Sequence, residues 1–223
     1  MQIKATYNSP NHYNGRKGYK PDMIVCHVTA GDTFKSTYWW FLNPKAQTGS
    51  HFVVDKNGDV YQFNKLTDGA WCNGTSLTVG NKRYYGSATN HIVKSRRTNA
   101  NYYTYSIEFV DKDGSGITQA QIDSGIELIK YIIVENKKLY GVDIPIDRQH
   151  IVGHCEINPI TKPLCPGKLF PWNKIMAGLV PQSQDDYIYR VQVGAFSNKN
   201  NAENLKAELN SKGYTAYIVS QKG

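Results

Sequence analysis

Asp22-Met23-Ile24-Val25-Cys26-His27-Val28, bounded by Pro21 and by the Ala30-Gly31 turn, is the stretch whose reading decides the fold. A short apolar run between turn residues reads as a buried strand. Downstream, residues 33–42 form an aromatic-rich helix candidate that stops at Asn43-Pro44, because proline cannot continue a helix. Residues 51–55 and 59–63 flank Asn57-Gly58, a strong hairpin signal. Residues 105–110 read as another strand. Thr118 and Gln121 then have capping-box spacing, Ile122, Ile126, Ile129 and Ile133 recur at helical intervals, and Gly141 closes the helix. His150-Ile151-Val152 is a last short strand before an irregular segment to Trp172. Strands interleaved with helices predict an α/β domain around a mixed sheet flanked by helices. Residues 73–101 are polar, tyrosine-rich and aperiodic, and are predicted to be a long loop.

Composition narrows the function classes. The chain has 223 residues, 40% of them hydrophobic, with a formal net charge of +8. That charge favours an anionic partner without choosing one. No nucleic-acid motif is present, and no apolar stretch is long enough to span a membrane. The N-terminus lacks the apolar run of a secretory signal, so the protein is expected to be made in the cytoplasm and to act elsewhere only after release. The cysteines, Cys26, Cys72, Cys155 and Cys165, are too irregularly spaced for a disulfide framework and point instead to a metal or catalytic role for one of them.

His27 ends the buried strand, His154 follows the last strand, and Cys165 stands in Cys165-Pro166-Gly167. Two imidazoles and a thiolate are the ligand set of a catalytic zinc, which keeps a fourth position open. These pieces fall into a wider order: Ile24-Val25-Cys26-His27-Val28-Thr29, Ser50-His51-Phe52-Val53-Val54-Asp55, Ala70-Trp71, Ser106-Ile107-Glu108, and Val152-Gly153-His154 with Cys165-Pro166-Gly167. That order resembles the type 2 N-acetylmuramoyl-L-alanine amidases, which include endolysins, autolysins and relatives of the peptidoglycan recognition proteins. The resemblance implies a zinc groove and hydrolysis of the amide between N-acetylmuramic acid and L-alanine of peptidoglycan. It makes His27, His154 and Cys165 the metal ligands, Glu108 the general base and Lys162 the group that steadies the oxyanion. His51 and Trp71 are expected to contact substrate in the groove, and Arg83, Tyr84, Tyr85, Arg96 and Arg97 could contact stem peptide or glycan. The sequence departs from the family pattern where Cys72, in place of a histidine, follows Ala70-Trp71. Two other readings stand beside this one: a non-catalytic peptidoglycan-recognition module on the same fold, and a different zinc hydrolase such as a peptidase, although no HExxH helix is present.

The composition shifts at residues 178–186, which are read as a linker between a catalytic domain, 1–177, and a segment spanning 187–223. Tyr189-Arg190-Val191-Gln192-Val193-Gly194-Ala195-Phe196, with Asn201-Ala202-Glu203 and Gly213-Tyr214, resembles half of a SPOR peptidoglycan-binding module. The segment is predicted to be one β-α-β unit, with Gln192 as a glycan contact and a second copy of the chain as a possible partner.

Overall fold

The computed structural model of the chain describes residues 2–79, 82–112, 114–180 and 191–220. The chain divides into two compact units, Met1–Pro181 and Gln182–Gly223. The first contains strands β1 (Ile3–Thr6), β2 (His12–Tyr13), β3 (Met23–Val28), β4 (Phe52–Val54), β5 (Val60–Gln62), β6 (Gly69–Ala70), β7 (Thr78–Val79), β8 (Lys82–Arg83), β9 (Thr104–Phe109) and β10 (Ile151–Gly153). Its helices are α1 (Phe34–Leu42), α2 (Tyr84–Ser87), α3 (His91–Arg96), α4 (Gln119–Tyr140), α5 (His154–Ile157) and α6 (Trp172–Leu179). Six strands form one mixed sheet in the order β1-β5-β4-β9-β3-β10, where only β4 and β5 pair antiparallel.

β3 is central, and every residue from Met23 to His27 is buried. Its alternation divides the core. Ile24 and Cys26 join Tyr105, Ile107 and Phe109 of β9 on the face covered by α4 and α6. Met23 and Val25 face the other way, against Val93, Ala100 and Tyr103. Both faces are therefore apolar, as a mostly parallel sheet requires. On the second face, α1 inserts Phe41 among Val53, Phe63 and Val110.

The capping box on α4 forms as expected. The Thr118 hydroxyl accepts from the Gln121 amide, and Gln121 Oε1 accepts from the Thr118 amide. Gln121 Nε2 also donates to the carbonyls of Val54 and Val110, which ties the helix start to the sheet. Ile122 and Ile129 are buried as predicted, while Ile126 and Ile133 sit half-buried at the stripe's edge. Ile126 meets α6, a helix the sequence reading did not resolve. Gly178 permits that contact, since a Cβ there would lie 2.5 Å from Ile126 Cδ1.

The stretch expected to be a long loop is instead organised by α2, α3 and the β7–β8 pair. Helices of four and six residues are too short to leave a periodic signature. In the second unit, one helix, α7 (Lys199–Ser211), is present. The described residues on either side of it, 191–198 and 214–220, carry no strand, so of the expected β-α-β unit the helix is what the structure describes; residues 187–190 lie outside the described residues. No described residue of this unit is buried, as expected for a segment too short to build its own core.

Arg16 holds the first unit together in a way its sequence position does not reveal. It is 4% exposed, and its guanidinium spans carbonyls from three segments. Nε and Nη2 donate to Leu66 O, and Nη1 donates to Asn101 O and Thr104 O, while the group lies over the Tyr105 ring at 4.6 Å. Arg16→Met would strand these buried acceptors. It is expected to lower unfolding stability by about 3 kcal/mol, and the melting temperature of this unit by roughly 6–12 °C. Calorimetry showing no shift would remove Arg16 from this role.

Candidate functional site

The parallel pairing of β3 and β9 sets His27 directly beside Glu108. Both share the face of Met23 and Val25 on β3 and of Thr104 and Ser106 on β9, opposite α4. β10 continues the sheet with Gly153 beside Cys26, so His154, the next residue, emerges alongside His27. Cys165 is returned to the same point by a loop. The Cys155 amide donates to Cys165 O at 2.8 Å, and a Cβ on Gly153 would lie only 2.6 Å from Pro166 Cδ. The glycine before His154 thus lets the residue after Cys165 pass close. His27 Nδ1 lies 2.9 Å from His154 Nδ1 and 3.9 Å from Cys165 Sγ, and the three donor atoms fall within 4.8 Å of one another.

The surrounding hydrogen bonds fix how His27 presents itself. Asn73 Nδ2 donates to Thr104 Oγ1 at 2.8 Å, which turns Asn73 Oδ1 toward His27 Nε2, also at 2.8 Å. His27 therefore donates from Nε2 and keeps a lone pair on Nδ1. Burial pushes His27 down to about 3 and His154 well below the ordinary imidazole value, so both rings are neutral near pH 7. Two Nδ1 atoms so close, beside a thiol, suit a shared cation with its outer hydrogen bond already made. Burial also pushes the Cys165 thiol up to about 12, and a divalent cation is what would hold it as thiolate. A second grouping, His27, Cys72 and Glu108, is equally compact. It would draw on the His27 nitrogen already committed to Asn73, so the pair of histidines with Cys165 is the better metal set.

Glu108 is 8% exposed, and burial pushes its carboxyl up to about 7. Cys72 Sγ donates to Oε1 at 3.5 Å, while Oε2 is buried with no partner among the described residues. All these groups open on a groove of about 650 Å³, lined also by the exposed Lys162. The expected ligands, Glu108 and Lys162 are therefore brought together.

His51 and Trp71, expected to contact substrate, lie outside the residues that line this groove. His51 is 1% exposed and does not line the groove; its ring meets Ser106, Asp68 O and Arg16 in the interior. Trp71 packs edge-on against Tyr13 and likewise does not line the groove. Arg96 pairs with Asp22 and covers the Tyr103 ring, and none of Arg83, Tyr84, Tyr85, Arg96 and Arg97 lines the groove. Gln192 lies exposed in the second unit and donates to Gly194 O. Sequence reading missed Asn73, whose role depends on a contact with Thr104 across a gap of 31 residues.

Comparison with known proteins adds independent findings. Residues 17–168 match the N-acetylmuramoyl-L-alanine amidase family profile, and residues 185–223 match the SPOR domain profile. Over 133 residues the chain is 26% identical to 1,6-anhydro-N-acetylmuramyl-L-alanine amidase AmpD of Haemophilus influenzae, covering 60% of this chain and 59% of that protein. A crystal structure of an AmpD derivative superposes with a TM-score of 0.57 at 18% identity, over 80% of this chain and 99% of that one. The amidase AmiD of E. coli, solved with anhydro-N-acetylmuramic acid-L-Ala-D-γ-Glu-L-Lys, gives 0.53 at 24% identity, over 80% and 60% of the two chains.

The Glu108 environment generates a pH signature in metal-free protein. Its folded value near 7 exceeds the ordinary 4.5, so between these pH values the folded state binds the extra proton. This group's contribution is thus present below about pH 4.5 and is lost as pH rises through 7. Depressed His27, His154 and His51 push in the opposite direction, so the comparison must be with Glu108→Gln. The stability difference, wild type minus variant, is expected to fall by about 3 kcal/mol from pH 4.5 to 7. A pH-independent difference in denaturant titrations would contradict it.

Proposed function

The chain belongs to the type 2 N-acetylmuramoyl-L-alanine amidase family and carries a SPOR segment, and from that premise we propose that it is a zinc-dependent hydrolase of the amide joining N-acetylmuramic acid to L-alanine in peptidoglycan. The observation that carries this reading is the convergence of His27, His154 and Cys165 within 4.8 Å, next to a buried carboxyl with one oxygen unpartnered among the described residues. A non-catalytic module would need neither. In this reading the enzyme serves as an endolysin or autolysin and reaches the wall after release from the cytoplasm, and the SPOR segment adds glycan binding through Gln192.

His27, His154 and Cys165 would hold the zinc, which supplies a Lewis acid for the scissile carbonyl and acidifies water. Asn73 keeps the His27 ring turned with Nδ1 inward. Glu108, with a proton affinity near neutral, takes a proton from the attacking water through Oε2. The water oxygen bonds to the lactyl carbonyl carbon in that attack, and Glu108 then gives its proton to the alanine nitrogen as the carbon–nitrogen bond breaks; the second water proton leaves the new carboxyl for the freed amine or solvent, giving the lactyl carboxylate. The Lys162 ammonium, on the groove wall, offsets negative charge developing on the carbonyl oxygen.

Purified protein is expected to release free L-alanine amino termini from peptidoglycan without new reducing ends. Chelator should abolish this release and zinc should restore it. Cys165→Ser and Glu108→Gln should each abolish turnover. Metal analysis at equilibrium should show Asn73→Ala binding zinc roughly 10- to 100-fold more weakly, since it loses the outer hydrogen bond. New reducing ends, or undiminished release in chelator, would falsify the assignment.

A further inference from the structure

The two histidines of the metal set are held in different ways. Asn73 fixes the outer nitrogen of His27. Among the described residues, the ring of His154 makes no hydrogen bond beyond its approach to His27 Nδ1. Its aim therefore comes from the main chain on which it stands. That main chain is a corner, where β10 ends at Gly153 and His154 opens α5, a helix of four residues. A single turn of helix does not persist by itself, so neighbouring groups must hold the corner.

Glu156 does so from inside α5. Its Oε2 accepts the Gly153 amide at 2.6 Å, which ties the helix back to the strand across His154. The same oxygen accepts from Arg148 Nη2, while Arg148 Nη1 donates to Ile151 O of β10. The guanidinium in turn lies over the Trp172 ring, 3.5 Å from its centroid. Trp172 also backs the corner directly, since a Cβ on Gly153 would meet its Cζ2 at 3.4 Å. The Glu156 carbonyl is engaged separately, by the amides of Thr89 and Asn90, so the backbone anchor of α5 does not depend on the carboxylate. Arg148, Glu156 and Trp172 do not line the groove. Their influence on the site can pass only through the residues they hold.

We propose that Glu156, backed by Arg148, is the positioning residue for the His154 ligand: it locks the Gly153–His154 corner so that His154 Nδ1 meets His27 Nδ1 and the Cys165 sulfur. The proposal rests on the metal reading above and adds a residue that touches neither metal nor substrate. Because one oxygen receives both bonds, the position demands an acceptor rather than a negative charge. A carboxamide oxygen meets that demand and a methyl group does not. Outer hydrogen bonds of this kind set how well a preformed ligand cluster fits its ion.

Zinc affinity of the full-length protein, measured by competition with a chromophoric chelator, tests this independently of turnover. Glu156→Ala is expected to weaken zinc binding roughly 10- to 100-fold, and Glu156→Gln to recover most of that loss. With cobalt in place of zinc, the visible absorption bands report ligand geometry. They should change in Glu156→Ala and match wild type in Glu156→Gln. Arg96→Met breaks another arginine–carboxylate pair, Arg96 with Asp22, which is stacked on Tyr103. It should leave zinc affinity and the cobalt spectrum unchanged even where the melting temperature falls. Undiminished affinity in Glu156→Ala, equal losses in Glu156→Ala and Glu156→Gln, or an equal loss in Arg96→Met would overturn the proposal and leave the metal site standing. If Glu156→Ala does not fold, Arg148→Met carries the test. It keeps an aliphatic stem on Trp172 and removes the donor, and unchanged zinc affinity in it would overturn the proposal. Wild-type protein that binds no zinc would instead remove the metal site, and the role of Glu156 with it.

Discussion

The in-register parallel pairing of β3 with β9 on one side and β10 on the other is the constraint from which the site follows. Because strand side chains alternate, a slip of one residue would turn His27 into the core beneath α4 and bring Cys26 to the groove. The apolar side chains prevent it. Ile24 and Cys26 must stay under α4 and α6, and Met23 and Val25 must stay on the opposite face. The hydrophobic core thus specifies the chemistry indirectly, by holding His27 beside Glu108 and Gly153 beside Cys26.

Such a site works against the fold that builds it. Three neutral histidines, a buried carboxyl with an oxygen unpartnered among the described residues and a half-buried thiol are each poorer choices for stability than an aliphatic side chain. What holds them is a shell of fully hydrogen-bonded polar residues. Asn73 is pinned by Thr104 and by Asn101, whose Oδ1 accepts from the Asn73 amide. Asn101 and Thr104 also offer their carbonyls to Arg16, and Arg16 reaches His51. His51, which sequence reasoning placed among the substrate contacts, belongs to this supporting shell. A buried arginine that braces the neighbours of Asn73 therefore steadies the His27 ring at two removes.

Much of this was legible before the structure. The apolar run of β3, the Asn57-Gly58 turn and the Thr118/Gln121 capping box are local signals, and each formed where spacing placed it. The candidate ligands were legible because strand ends at a sheet rim are where side chains converge. Other features depend on contacts far apart in sequence. α6 is recognisable only through the gap that Gly178 leaves for Ile126, and Asn73 only through Thr104. The walls of the groove are not readable from local signals for the same reason: α1 and the loop after β10 are separated by more than a hundred residues, and the sheet order that sets them on opposite sides is not written in either.

Cys72 is the departure from the family pattern that the geometry best rationalises. Its sulfur lies 3.5 Å from Glu108 Oε1 and 3.5 Å from His27 Nε2. A thiol is a weak donor and, pushed well above its ordinary value by burial and by Glu108, stays protonated and uncharged. A charged or strongly donating neighbour would pull the Glu108 carboxyl back toward the ordinary carboxylate range and weaken it as a base. The Cys72 bond lowers it too, but less than burial raises it, so the carboxyl remains near 7. A thiol at this position orients one oxygen of Glu108 while leaving the proton affinity of the other to be set by burial.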